Sequence, residues 1–349
     1  MKKVLYLTNI EVPYRVRFFN ELAKKCDLTV LYEREQSANR NQAWAGSVSR
    51  NFRVKYLRGL KIGNENAFSF GILKEIFSNY DCIIAGCYNS PAQMAAILTM
   101  RLFQIPYILN LDGEPFLAGD GLKKKLKRFF VSGAEKYLVA GEKTAESLRN
   151  AIGTDKVIVP YYFSSLTEQE IEEHRQLAGN VRNDTILVVG QYFDYKGMDV
   201  ALEAARMDLS LRYKFVGMGN RTELFQKEHD IPENVELIPF LQKKELEEEY
   251  KNCAMLVLPT RQECWGLVIN EAASFGMPIV STWGRGAAVE FLEDKYSKYL
   301  AVPGDADGLF DAVRLLLVES EKESYSEYLL SKSKEYAIEN SVRVHVSNI

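Results

Sequence analysis

The sequence predicts an α/β protein of two Rossmann-like halves, each a mostly parallel sheet with helices on both faces. Three observations predict it. Short apolar runs alternate with longer amphipathic segments along most of the chain. The alternation breaks once, in a polar stretch over residues 163–183, and then restarts. At 349 residues the chain is long enough for two domains with cores of their own.

In the first half, residues 1–162, the apolar runs Val4–Leu7, Leu28–Tyr32, Cys82–Ala85, Tyr107–Leu111 and Lys136–Ala140 read as strands. The amphipathic segments Arg17–Lys25, Pro91–Phe103 and Leu122–Gly133 read as the helices between them. A strand near Lys156–Pro160 closes this half. Residues 163–183 carry Ser, Gly and Asn around a charged, Glu-rich helix and are expected to form a linker region. The second half, residues 184–331, gives strands Thr185–Val189, Tyr213–Val216, Val235–Ile238 and Met255–Leu258, with helices Gly197–Met207 and Lys243–Lys251. A further helix after Trp265-Gly266 should end near Gly276, and Pro278 opens the buried strand Ile279–Val280. Residues 332–349 form a mixed terminal segment.

With 47% hydrophobic and 26% charged residues, the composition is that of an ordinary soluble globular protein. A net charge of -3 argues against a nucleic-acid partner. The five cysteines show no paired metal-ligand spacing and read as reduced, mostly buried thiols. A strand begins at once after Met1, without the apolar run of a signal peptide, and no stretch reaches the length of a transmembrane helix. The expected location is cytoplasmic, with any contact to the inner face of the cell membrane peripheral.

The most informative segment runs from Arg261 to Val280 and holds two carboxylates, Glu263 and Glu271, across a strand–loop–helix junction. The helix N-terminus at Trp265, Gly266 and Leu267 offers unpaired N–H groups and a positive dipole end, which suits a diphosphate. Eight residues at helical rise span roughly 12 Å, comparable to the reach from a sugar across a diphosphate to a ribose. One segment can therefore grip a nucleotide sugar at three points.

Glu-x7-Glu, with an aromatic-Gly after the first Glu and Glu-Ala-Ala…Gly-x-Pro from the second, closely resembles the retaining glycosyltransferases of the GT-B fold. This is glycosyltransferase family 4, or glycosyl transferases group 1, of the bacterial polysaccharide-biosynthesis type. The resemblance implies two Rossmann-like domains facing across a crevice, with residues 332–349 packing back toward the first. It assigns Glu263 to the donor sugar, as a catalytic residue, and Glu271 to the ribose hydroxyls. Gly190-Gln-Tyr-Phe-Asp-Tyr-Lys196-Gly197 resembles the family's Gly-Arg-x4-Lys-Gly segment, whose Arg and Lys hold the diphosphate. Here Gln191 stands where the Arg sits, which leaves phosphate binding to Lys196, the helix near Trp265, or a first-domain group such as Arg15 beside Tyr14. Gly217, in Val216-Gly-Met-Gly219, resembles a strand-end turn where backbone approaches the nucleotide. Phe240, in Ile238-Pro-Phe-Leu241, lies where relatives present backbone to the base, with a plain core strand as the other reading.

The first domain departs from the family pattern. Its Thr8–Arg15 segment replaces a Gly-Gly turn, and none of His174, His229 and His345 stands at the end of a first-domain strand. Asp112 and Glu114, beyond the strand Tyr107–Leu111, are the best substitutes for a catalytic His, and Asp112 has two readings, one that orients a donor or acceptor hydroxyl and one that only forms an Asp-Gly turn. Asp112-x-Glu114 also resembles the metal motif of a different glycosyltransferase fold, but the phosphate-binding segments lie in the other half, and no metal is expected.

The segment Gly121–Phe130 places Leu122, Leu126, Phe129 and Phe130 on one helical face among Lys123, Lys124, Lys125, Lys127 and Arg128. Two readings stand: core packing with a solvated basic face, or docking on an anionic membrane through Lys123, Lys124 and Lys127.

The function expected is transfer of a sugar from a nucleoside-diphosphate sugar, a UDP-sugar foremost, to a hydroxyl of a sugar or lipid-linked saccharide, with retention and in cell-surface polysaccharide biosynthesis. The donor is substrate, and no cofactor is expected. A nucleotide-sugar epimerase and a non-catalytic GT-B binding subunit are the alternatives. Transfer to an added acceptor separates the first, and slow donor hydrolysis by the chain alone separates the second.

Overall fold

The computed structural model describes residues 1–34, 49–62, 66–113, 121–153, 157–178, 182–284, 286–318 and 320–349. They form two compact units, one of Met1–Ser165 with Ile338–Ile349 and the other of Leu166–Ala337.

The first unit runs β1 (Lys3–Ile10), α1 (Pro13–Ala23), β2 (Asp27–Arg34), β3 (Arg53–Tyr56), the short pair β4 (Leu60–Ile62) and β5 (Asn66–Phe68), then α2 (Gly71–Ile76) and β6 (Cys82–Ala85). It continues through α3 (Pro91–Leu102), β7 (Ile108–Leu111), α4 (Leu122–Val131), β8 (Lys136–Ala140), α5 (Glu142–Ile152) and β9 (Val157–Tyr161). Seven strands form one parallel sheet in the order β3-β2-β1-β6-β7-β8-β9, and β4 and β5 pair antiparallel apart from it. Val4 to Leu7 are fully buried, as strands covered on both faces must be.

Helix α1 begins earlier than Arg17 because Pro13, at its first position, carries a preset φ and lacks an N–H that would be unpaired there anyway. Ser90 caps α3 by accepting from Gln93 N at 3.1 Å, again with a Pro next in line.

The second unit runs α6 (Glu168–Leu177), β10 (Thr185–Val189), α7 (Met198–Arg206), β11 (Arg212–Val216), α8 (Thr222–Glu228), β12 (Val235–Ile238), α9 (Lys243–Asn252) and β13 (Met255–Val257). After these come α10 (Leu267–Ser274), β14 (Ile279–Thr282), α11 (Ala287–Leu292), β15 (Leu300–Ala301), α12 (Ala306–Val318) and α13 (Lys322–Glu335). Its sheet is parallel throughout, in the order β12-β11-β10-β13-β14-β15. The last helix, α14 (Ile338–Asn348), belongs to the first unit.

Two expected boundaries change. The helix expected within 163–183 is started by a capping box of Thr167 and Glu170, with Glu170 N to Thr167 Oγ1 at 3.2 Å and Thr167 N to Glu170 Oε2 at 3.0 Å. The helix so started joins the second unit: Leu166 and Ile171 cluster with Ala337, and His174 stacks on Phe275 at 4.0 Å. The segment 332–349 also divides, since residues through Ala337 stay in the second unit and the first unit's share begins at Ile338.

Candidate donor site

In the second unit the strand order reverses between β10 and β13, one running out toward β12 and the other toward β15. Loops leaving the carboxyl ends of these two strands flank the place where open α/β sheets bind ligands. The loop after β10 is Gly190–Lys196, and the loop after β13 is Leu258–Gly266.

These loops are tied to one another. Arg261 N and Thr260 Oγ1 each donate to the Tyr195 carbonyl at 2.9 Å. Arg261 grips Asp199 through both guanidinium nitrogens, at 2.8 and 2.6 Å, and donates to the Asp194 carbonyl at 2.7 Å. Gly197, at φ 67°, passes so close to Pro259 that an added Cβ would lie 2.0 Å from its carbonyl oxygen. A glycine is required there on both counts.

The joined loops bring Lys196 and Glu263 together. Lys196 Nζ lies 2.5 Å from Glu263 Oε2, with the two side chains 21% and 11% exposed. Glu263 Oε1 accepts from Cys264 N at 3.1 Å, and Glu263 N donates to the Gly284 carbonyl at 3.0 Å, fixing the carboxylate from both ends. Helix α10 starts at Leu267 after Gly266, whose φ of 89° turns the chain into the helix. Trp265 is buried and donates from Nε1 to Asn270 Oδ1 at 2.8 Å, so its ring packs inside the unit and the segment Gly266–Leu267 presents backbone. Glu271 lies one turn into α10 and accepts a hydrogen bond from the buried Tyr250 hydroxyl at 3.0 Å. Burial first, and then this carboxylate, hold the Tyr250 hydroxyl protonated by raising it well above its ordinary range.

Gly217 has φ 101°, and its N donates to the Ile238 carbonyl at 3.1 Å, while Gly190 N donates to the Val216 carbonyl at 2.9 Å. Gly190, Gly217 and the Phe240 segment therefore share one rim at the ends of β10, β11 and β12. Phe240 is 41% exposed on that rim. Gln191 is exposed in the loop after β10.

In the first unit, Arg15 and Asp112 form an ion pair inside a polar network. Arg15 Nη1 donates to the Tyr6 hydroxyl at 2.9 Å, and the Tyr161 hydroxyl donates to Asp112 Oδ1 at 2.9 Å. Asn110 accepts from the Tyr6 hydroxyl at 2.8 Å and lies 2.9 Å from His345 Nε2. Burial alone would lower the Arg15 guanidinium, but Asp112 beside it raises it well above its ordinary value. Burial pushes His345 down to about 4, with Arg15 acting in the same direction, so the ring is neutral at physiological pH. One expectation changes. Arg15 is 5% exposed and committed to Asp112, so it is not a free cation for a phosphate. His345, discounted from its sequence position, enters the network from α14. Tyr14 packs edge-on against Phe163 at 5.8 Å, and Glu114 lies outside the described residues.

Residues 169–332 match the family described as glycosyl transferases group 1. An uncharacterized glycosyltransferase of Methanocaldococcus jannaschii is 26% identical over 77% of this chain and 72% of its own length. The second unit therefore carries a glycosyl transferases group 1 domain, and the chain is similar to glycosyltransferases. A 41.2 kDa protein in the cps region of Klebsiella pneumoniae is 27% identical over 54% of each chain. The Anabaena protein HepE, solved in complex with UDP-glucose, superposes with a TM-score of 0.74 over 99% of this chain and 100% of its own, at 14% identity. That likeness concerns the fold, which is GT-B.

On the basic helix of this glycosyltransferase, the structure separates residues that share a face in the sequence. Phe130 and Val131 are buried, whereas Leu122, Leu126 and Phe129 are 84%, 51% and 44% exposed. The core-packing expectation fails for those three, because α4 meets its unit through its last turn. Arg101 of α3 lies over the Phe129 ring at 4.1 Å, and next to it Leu102 and Phe103 are exposed as well. Among the described residues no helix is long and apolar enough to cross a membrane.

Sequence reasoning missed Tyr250 beneath Glu271, the Arg261–Asp199 clamp, and Tyr6, Tyr161 and His345 around Asp112. The clamp had a faint signal, an Asp in the first turn after Lys196-Gly197. His345 had none, since 235 residues separate it from Asn110.

Proposed function

We propose that this glycosyltransferase transfers a sugar, with retention, from a nucleoside-diphosphate sugar to a hydroxyl of a saccharide acceptor in polysaccharide assembly. The observation that carries the reading is the Lys196–Glu263 pair at the point where the strand order reverses, with Glu271 eight residues further along. A cation and a carboxylate beside a helix N-terminus suit a leaving diphosphate and the sugar it departs from. Glu271 takes the ribose, and its bond from Tyr250 holds the carboxylate in one orientation. Lys196 and backbone N–H groups offset the diphosphate charge without a metal. HepE, solved with UDP-glucose, and the Klebsiella relative of a cps region support a UDP-sugar donor and a polysaccharide product.

Calorimetry of UDP and other nucleoside diphosphates in EDTA buffer tests this reading. Tight binding is expected for one of them, and Glu271→Ala should weaken it by about 1.5–3 kcal/mol through the lost charge-assisted bonds to ribose. Undiminished affinity in the folded variant would remove Glu271 from the donor site. Binding or turnover that returns only when magnesium or manganese is restored would contradict the metal-free reading.

The exposed face of α4 supports a further part of the proposal, an acceptor presented at an anionic membrane. Leu122, Leu126 and Phe129 are available to insert, and Lys123, Lys124 and Lys127 lie among them. Each cation is worth about 1 kcal/mol near such a surface. Sedimentation with anionic liposomes at low salt should therefore be lost on changing the three lysines to Glu, with nucleotide binding intact. Wild-type protein that stays in the supernatant would exclude the docking.

A further inference from the structure

Gln191 leaves the loop after β10 one cation short of the pattern it resembles, and the structure brings a guanidinium to that loop from elsewhere. Arg221 lies beyond β11, past Gly217 and Gly219, whose φ values of 101° and 59° turn the chain at the strand end. Gly219 N is held by the Pro239 carbonyl at 2.7 Å, which fixes this turn on the rim shared by β10, β11 and β12. From there the Arg221 side chain reaches the neighbouring loop. Its Nη1 donates to the Tyr192 carbonyl at 3.1 Å, one residue from Gln191. Its guanidinium carbon lies 4.1 Å from the centroid of the Phe193 ring.

These contacts hold the cation in place without neutralising it. The Phe193 face orients the guanidinium plane, and Phe193 is itself stacked on Tyr195 at 5.6 Å with the rings 11° from parallel. Tyr195 directly precedes Lys196 in the same loop. A guanidinium has five N–H donors in a planar fork, and the Tyr192 carbonyl engages one nitrogen. Among the described residues Arg221 forms no ion pair, and it is exposed at the rim. A planar, pre-oriented and uncompensated arginine beside a loop of this kind is suited to phosphate oxygens.

We propose that Arg221 is a second phosphate-binding cation of this glycosyltransferase, acting with Lys196 on the donor diphosphate in the place that Gln191 cannot serve. The proposal rests on the nucleoside-diphosphate reading of the site. It explains how a loop lacking the usual arginine still presents two positive charges.

The test is calorimetry at one fixed ionic strength, using whichever of UDP, GDP and ADP wild type binds most tightly, together with its parent nucleoside. Arg221→Gln should weaken the diphosphate roughly ten- to hundredfold, the range of a charged hydrogen bond, and the nucleoside by no more than about twofold. Adding Gln191→Arg to Arg221→Gln should recover most of the loss, because it returns the cation to the first position. Unchanged diphosphate affinity in Arg221→Gln, with thermal unfolding as in wild type, overturns the assignment. Equal losses for diphosphate and nucleoside also overturn it, since Arg221 would then serve the base or the loop. Wild type that binds none of the three diphosphates overturns the donor reading itself, a result distinct from either.

Discussion

Lys196→Ala is expected to lower turnover by about 10²–10³-fold, the size of the effect when one preorganised charge partner of a transition state is removed. Two losses combine. On the proposed reading the departing diphosphate loses its cation, and Glu263 loses the ammonium 2.5 Å from its Oε2. With 11% of its side chain exposed, Glu263 is then a poorly solvated carboxylate with an N–H bond from Cys264 as its remaining described support. Nucleoside-diphosphate affinity should fall too. Glu263→Gln separates the two effects, since it keeps Lys196 for the phosphates while removing the carboxylate assigned to the sugar. That variant should bind the diphosphate and turn over slowly. Single-turnover kinetics with the cognate donor, set beside calorimetry, measures both quantities. Equal turnover in Lys196→Ala and wild type would remove this pair from the chemistry.

How much of this arrangement could be read in advance depended on how local its cause was. The strands at Val4, Thr185 and Met255 were legible because a strand buried on both faces is a continuous apolar run, and such a run needs no partner to be recognised. Glu263, Lys196 and Glu271 were legible as candidates because fixed spacing around a strand–loop–helix junction is itself local. Their pairing was not, since it depends on Arg261 and Thr260 binding the backbone of a loop more than sixty residues earlier, with |i−j| of 65 for the Thr260 bond. Helix α6 was legible as a charged helix, but its place in the second unit was not, because that rests on Leu166 and Ile171 meeting the distant Ala337. The four residues of Arg53–Tyr56 form an edge strand with alternating exposure, too short and too polar to stand out.

Long-range causes decide the second unit less than the first, where the Asp112 environment draws on β1, α1, β7, β9 and α14 together. Five segments scattered along the chain supply it, and each carries one unremarkable polar residue. No window of sequence shows that Tyr6, Arg15, Asn110, Tyr161 and His345 meet.

That convergence sets the second large effect. Asp112→Ala should destabilise the protein by about 3 kcal/mol, the lower end of what is lost when a buried ion pair is broken from one side. The lower end applies because Asp112 is 28% exposed at its side chain while Arg15 is only 6% exposed. The cost arises at Arg15, left charged beside Tyr6 with no carboxylate, and at the Tyr161 hydroxyl, which loses its acceptor. Asp112→Asn, whose single amide oxygen can accept from Arg15 while its NH2 takes the other oxygen's place beside Tyr161, should recover part of the loss. Calorimetric unfolding of the three proteins measures this directly, and donor turnover by the same samples adds the functional reading. If Asp112 orients a substrate hydroxyl as well as Arg15, the Asn variant will regain stability yet stay slow. If it serves only the network, stability and turnover will recover together. An Asp112→Ala protein as stable as wild type would show that Arg15 is satisfied by other groups, and the network would then lose its claim to hold this corner of the first unit.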